Sequence, residues 1–513
     1  MRAASALLLL LVPSPVLAET VVLSEAPVST SVTVYRDGDR ERGAFDLRWL
    51  QGYALISEKR RILLPAGPST VRFEGVADGM IAVSAVVSGL PGGVDEKNRD
   101  ARLLSPASLL DGTLGNRLHV RRTNPGTGKV TESDAIVRSG PQNAVVLETA
   151  EGIEALRCSG LPETLVYGSV PEGLSAKPTF SVHTDSPRAT EAEVTLTYLA
   201  TGFDWGANYV ATVAEDGKTL DLFAWLTVAN GNGATYEGTE LLAIAGRPNR
   251  TSDFLELAGH FESPVLNLQC WPMDSTSTRP GWGEPPPAPP PAPIMLEMAA
   301  PMAARAADAG NIIVTAQKVM AQQEDLGDLK LYRVPIPVDV VPNGQKQVAL
   351  LDRKSVPFRH IYTASVAPWS DESEGAFDIV LRAKNEKGEG LGVPLPAGGI
   401  VTMQREHGEE MLLADGDMAD KGVGEKVEIG AGTSDQLRYS LKTLSTGKDG
   451  RNVRIILTNA LDFDAPVEVR LPRFGNFRLR TSQKVATQGN ESVISLTVPA
   501  NGERRIDLDY TER

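Results

Sequence analysis

The 513-residue chain predicts an all-β, multi-domain protein of antiparallel sheets, with a small barrel-like domain and a C-terminal β-sandwich. Three observations carry this. Between 195 and 250, two runs alternate apolar and polar residues with a period of two, and Asp216-Gly217 separates them as a hairpin turn would. Similar runs, bounded by Gly and Pro, recur along most of the chain. No amphipathic helix longer than three turns stands out beyond the first eighteen residues. The length exceeds what one core supports and implies several domains.

Residues 1–18 read as a signal peptide: Arg2, an apolar run from Ala3 to Val12, then Val16-Leu17-Ala18 before Glu19. Ten apolar residues in a helix reach about 15 Å, half of a ~30 Å hydrocarbon core, so cleavage is expected and no transmembrane segment after it.

Residues 19–100 are expected to form an N-terminal β domain, with strands at Val32/Val34, Arg61–Leu64, Val71–Glu74 and Ile81–Val87. The insert at 37–60 is charged and then apolar, and it carries no clear period. Residues 101–170 predict the barrel-like domain of short strands. Residues 171–270 and 312–374 predict a central β domain around the hairpin, in which Leu220, Leu222, Ala224, Leu226 and Val228 share one face. The Pro/Ala-rich stretch 271–311 cannot build a core and reads as a disordered linker inserted in that domain. Residues 375–513 predict the sandwich, closing on Ile494/Leu496/Val498 and Ile506/Leu508/Tyr510 joined across Asn501-Gly502.

Composition narrows the function classes. A formal charge of −14 without a basic stripe repels phosphate backbones, which disfavours nucleic acid as a partner. Two cysteines, Cys158 and Cys270, leave two readings: one disulfide closing a long loop, or two separate thiols.

Gly126-Thr127-Gly128-Lys129 lacks the Gly at 123 and the Ser or Thr at 130 of a phosphate loop, and reads as a hairpin turn. His119, His183, His260, His360 and His407 show no metal spacing; Arg405–Glu410 is the densest ionisable cluster, on a strand-to-turn stretch. Asp415–Asp420 would need an oxygen ligand at 419 and Glu at 426 to be an EF-hand loop, where Ala and Lys stand, so it reads as an acidic hairpin loop. Gly-x-Ser-x-Gly is absent. No catalytic, cofactor-binding or metal residues and no cofactor are assigned. Trp205, Tyr209 and Trp225 remain as aromatics of the central hairpin, either a stacking platform for sugars or cross-strand packing.

The runs Tyr198–Tyr209, Trp225–Asn230 and Ala245-Gly246 resemble the domain-of-unknown-function 4139 family, which includes mucoidy-inhibitor-A-like bacterial exported proteins. Gly390–Gly398 and Val423–Ile429 look like that family's later blocks; Val32–Asp37 and Leu64–Gly67 are similar to its N-terminal part. The matches run in the family's order across most of the chain. The coiled coil of longer members is missing, since 101–170 is β-like. The resemblance implies a bacterial setting and supplies no catalytic residues. The expectation is therefore an exported, periplasmic or secreted envelope protein of non-catalytic binding or assembly role. Its partner would be another envelope protein or a cell-surface polysaccharide. The alternatives are an envelope hydrolase with a site scattered across domains, or a carbohydrate-binding module.

Overall fold

The structure is a computed structural model. It describes residues 20–37, 45–100, 103–124, 126–139, 145–155, 163–171, 174–246, 320–327, 329–370, 372–447, 450–473 and 476–512. The expected signal peptide, Cys158, Cys270 and the 271–311 linker lie outside the described residues.

The fold is nearly all β, in several sheets. The central hairpin joins Phe203–Val213 to Thr219–Asn230, with Val213 opposite Leu220 and Phe203 opposite Asn230. Its turn differs from the mirror-image type that Asp-Gly suggested, because only Gly217 has positive φ (63°). The Gly217 N–H donates to the Ala214 carbonyl at 3.0 Å, and the Asp216 carboxylate accepts from the Lys218 N–H at 2.9 Å. That carboxylate cap holds Asp216 in a right-handed turn, which Gly217 then closes.

Gly344–Pro357 adds to one side of this hairpin and Gly398–Glu406 to the other, the latter in parallel; Glu409–Met418 completes a five-stranded sheet. An eight-stranded sheet lies beside it. There Ser29–Tyr35 sits between Tyr53–Leu64 and the parallel strand Tyr236–Ala245. Tyr53–Leu64 then pairs along its whole length with Thr190–Thr201. A four-stranded sheet, with Gly67–Glu74 between Thr20–Ser24 and Thr179–Ser186, packs over the eight-stranded one. One apolar core runs through all three, from Val32 and Phe73 to Trp205, Leu226 and Ile400.

Residues 19–100 therefore have no sheet of their own; their strands interleave with those of 179–245. Tyr53–Leu64 begins inside the stretch that carried no clear period. Its middle reads Ser57-Glu58-Lys59-Arg60-Arg61, and the inward positions hold a buried ion pair, Glu58 and Arg60, in place of apolar residues. The strand expected over Ile81–Val87 is a 3₁₀ turn at Ala82–Ser84 followed by the short strand Val86–Ser88.

Residues 103–171 contain a five-stranded antiparallel sheet and the helix Pro106–Gly112. Ser105 caps that helix reciprocally with Ser108, and Pro106 opens it. Leu110 of the helix packs with Leu118, Val120, Val137 and Leu147 of the sheet.

The C-terminal unit is one nine-stranded sheet curled into a half-barrel around a core that includes Phe377, Leu457, Val469 and Leu508, while Leu381 and Val427 at one end of its strands join the core of the other sheets. It starts before 375, with Arg359–Ser365 and Glu372–Lys384. Its two final long strands are not a hairpin. Glu491–Val498 pairs with Ala465–Pro472, and Gly502–Glu512 with Gly450–Asn459. The turn at Asn501-Gly502 instead carries the chain from one arm of the curl to the other. Alternation showed the strands and could not show which arm each joins. Among the described residues no helix is long and apolar enough to cross a membrane.

Candidate functional site

The central aromatics come first, because the sequence offered them as a platform. Trp205 and Tyr209 are buried. The Trp205 indole N–H donates to the Ile244 carbonyl at 2.9 Å, and its ring leans on Tyr332 with centroids 5.6 Å apart. The Tyr209 hydroxyl donates to the Pro396 carbonyl at 2.7 Å, and burial pushes its pKa well up, so it stays a donor. Trp225 is half-buried, edge-on to Phe223 at 4.9 Å. The two buried rings present no open face to a sugar; they act as packing. Arg36 lies over Trp205 and pairs with Asp420 at 2.8 Å, while Asp420 also accepts from the Ala397 N–H at 2.8 Å. This cluster fastens the segment 391–398 onto the hairpin.

That segment sets the position of the strand pair after it. Asn385, fully buried, donates to the carbonyls of Val393 (2.7 Å) and Gly422 (2.9 Å) and accepts from the Gly392 N–H at 2.9 Å. Gly398 then enters the sheet so closely that a Cβ there would lie 1.9 Å from the Ala207 carbonyl oxygen; only Gly fits. From this anchor Gly398–Glu406 runs out, turns at His407-Gly408, both with positive φ (51° and 81°), and returns as Glu409–Met418.

Glu409–Met418 is the edge of the five-stranded sheet, and among the described residues no strand pairs with its outer side. Met418 is buried at one end, whereas Met411, Leu412 and Leu413 are 48%, 62% and 40% exposed. A bulge at Leu413, between the pairs Thr402–Ala414 and Met403–Leu412, breaks the alternation, so apolar side chains emerge on both faces. Carboxylates flank them. Glu410 pairs with Arg405 at 3.0 Å; Glu409, Asp415 and Asp417 have no ion-pair partner among the described residues. The expected acidic loop at 415–420 is thus mostly strand. Three consecutive apolar residues flanked by carboxylates are the signal of this edge in the sequence.

The other groupings stay apart. His119 pairs with Asp134 at 2.5 Å on an exposed strand, His183 lies 3.3 Å from the Thr70 hydroxyl, His360 meets Phe358 edge-on, and His407 occupies the exposed turn; His260 is outside the described residues. No group of three or more metal-ligating side chains gathers among the described residues. At Gly126–Lys129 the Asn124 side chain caps the N–H groups of Gly126 and Thr127, as in a hairpin turn. An open groove of about 510 Å³ runs between the edge strand Thr20–Ser24 and Leu63, Pro65 and Thr190.

Comparison of the chain with protein-family models finds no match, and comparison with curated proteins finds none either.

Proposed function

We propose that the chain is an exported protein of the bacterial envelope that works by binding or assembly rather than catalysis, using the outer edge of Glu409–Met418. The single observation that carries this is the exposed Met411-Leu412-Leu413 run on an edge strand whose outer side has no partner strand among the described residues and whose position is fixed by Gly398, Asn385 and the Arg36–Asp420 pair. A strand edge offers main-chain donors and acceptors to an incoming segment, and its side chains supply selectivity. The apparent signal peptide supports export, and the resemblance to the domain-of-unknown-function 4139 family supports the bacterial setting.

Two measurements test the reading. Mass spectrometry of the protein from its native host should find Glu19 as the first residue. A photo-crosslinking amino acid at Leu412 should give a reproducible adduct in intact envelope that the same group at Val485, an exposed residue of another edge strand, does not give. Adducts at both positions or at neither would remove the site.

A further inference from the structure

From charge complementarity on this edge, we infer that its occupant is an extended protein segment in which Lys or Arg alternates with apolar residues, adding as a sixth strand beside Glu409–Met418. The inference rests on the binding role proposed above and names the partner's chemistry.

Ten residues of strand span about 33 Å, and near the middle Gly432 of the strand Lys426–Gly447 lies against the Leu413 carbonyl. Along it, Glu409 and Glu410 lie at one end, Met411–Leu413 in the middle, and Asp415 and Asp417 at the other. Only Glu410 already has a basic partner, Arg405. An added strand places its side chains opposite these residues, with Cβ atoms roughly 5 Å apart. Asp415 and Asp417 lie opposite Val401 and Gly399 on one face, and Met411 lies opposite Gln404 on the other. The newcomer's cations would meet the two aspartates while its apolar side chains share the face of Met411. A second copy of the chain is the competing occupant and is disfavoured by the same charges. Two-fold antiparallel pairing of this edge with itself brings Glu409 and Glu410 of one copy against Asp415 and Asp417 of the other. The bulge at Leu413 adds to that protection. The edge is thus closed to itself and open to opposite charge, which is how selectivity by repulsion works.

The test uses the full chain and four seven-residue peptides. One alternates Val or Ile with Lys; a second replaces Lys by Glu; a third replaces Lys by Ser. The fourth is the Lys peptide with alternate backbone nitrogens methylated. Binding is read by fluorescence anisotropy at 50 mM and 500 mM NaCl, and location by hydrogen exchange of residues 409–418. The expected result is protection of that strand by the Lys peptide and none by its methylated form. The Lys peptide should bind on the order of tenfold tighter than the Ser peptide at low salt, with the margin shrinking at high salt. D415N/D417N should shrink it similarly while the Ser peptide's affinity holds. Equal protection by the Lys, Ser and Glu peptides would overturn the cationic assignment and leave edge binding standing. Protection by none of them at millimolar concentration would overturn both. Protection that grows with protein concentration alone would identify a second copy and overturn the choice of occupant.

Discussion

One buried ion pair lies where the N-terminal and central strands interleave, and it can be cut from either end. Arg60 donates to Glu58 at 2.6 and 2.9 Å, to the Ser24 carbonyl at 2.8 Å and to the Glu74 carbonyl at 2.8 Å. Its guanidinium also lies 5.7 Å from the centre of the Phe73 ring. Glu58 takes a further hydrogen bond from the Tyr198 hydroxyl at 2.9 Å, and that oxygen accepts from the Ala77 N–H at 3.1 Å. Both charges are inaccessible to water, so removing one strands the other. Glu58→Leu or Arg60→Met should each cost about 3–5 kcal/mol. The double variant replaces both charges by apolar groups. It forfeits the hydrogen bonds to Ser24, Glu74 and Tyr198, at about 1 kcal/mol apiece, and leaves no unpaired charge. It should therefore cost about as much as one single variant, giving a coupling of about 3 kcal/mol or more. Native-state hydrogen exchange of amides in Gly67–Glu74 and Thr190–Thr201 reads this directly, since those strands belong to the two sheets the pair joins. Single variants costing under about 1 kcal/mol, or a double equal to the sum of its singles, would refute the argument.

Three further outcomes are expected. Arg382 binds both Glu428 and Glu468, at 2.5 and 2.6 Å, and Arg470 adds to Glu428 at 3.0 Å. The Arg382 hydrogen bonds hold the Glu468 carboxyl below its ordinary value; for Glu428, burial raises it but the two arginines outweigh that. Both pairs stabilise fully above about pH 4.3, the ordinary carboxylate value, and lose that contribution as pH falls through the lower folded values. Melting of the nine-stranded sheet should thus become steeply acid-sensitive below pH 4, and Arg382→Met should flatten that dependence. Gly398→Ala drives a Cβ into the Ala207 carbonyl and should release the Gly398–Met418 hairpin, seen as new proteolytic cleavage within 399–417. Asn385→Ala should cost about 2–4 kcal/mol by stranding the backbone groups of 392, 393 and 422, measured by thermal unfolding, with cleavage appearing between 386 and 397.

How much of this the sequence disclosed depended on whether a strand's inward positions were apolar. The hairpin around Asp216-Gly217 was legible because Leu220 through Val228 repeat every second residue. Residues 53–60 of Tyr53–Leu64 were not, because Glu58 and Arg60 occupy inward positions and satisfy each other. Sheet membership was hidden for a different reason. The parallel partners of Ser29–Tyr35 and Phe203–Val213 lie some two hundred residues away, and periodicity reports a strand's faces, not its neighbours. The buried Trp205 and Tyr209 illustrate a third limit. An aromatic on an alternating strand looks the same whether another layer covers it or water does. At the edge strand the departure from alternation was itself the message, since the bulge at Leu413 turns consecutive apolar residues outward.

The distance in sequence between partners also has a consequence for biosynthesis. Ser29–Tyr35 lies beside residues 240–244, and Arg36 meets a carboxylate 384 positions later. At about 5–20 residues per second, a ribosome needs tens of seconds to produce Asp420 after Arg36. Until residues 179–245 have been made, the first strands have only one another, and a two-stranded ribbon in water is marginal at best. The N-terminal strands therefore wait for their sheet partners until residue 245 has been made, and the Arg36–Asp420 contact closes only later.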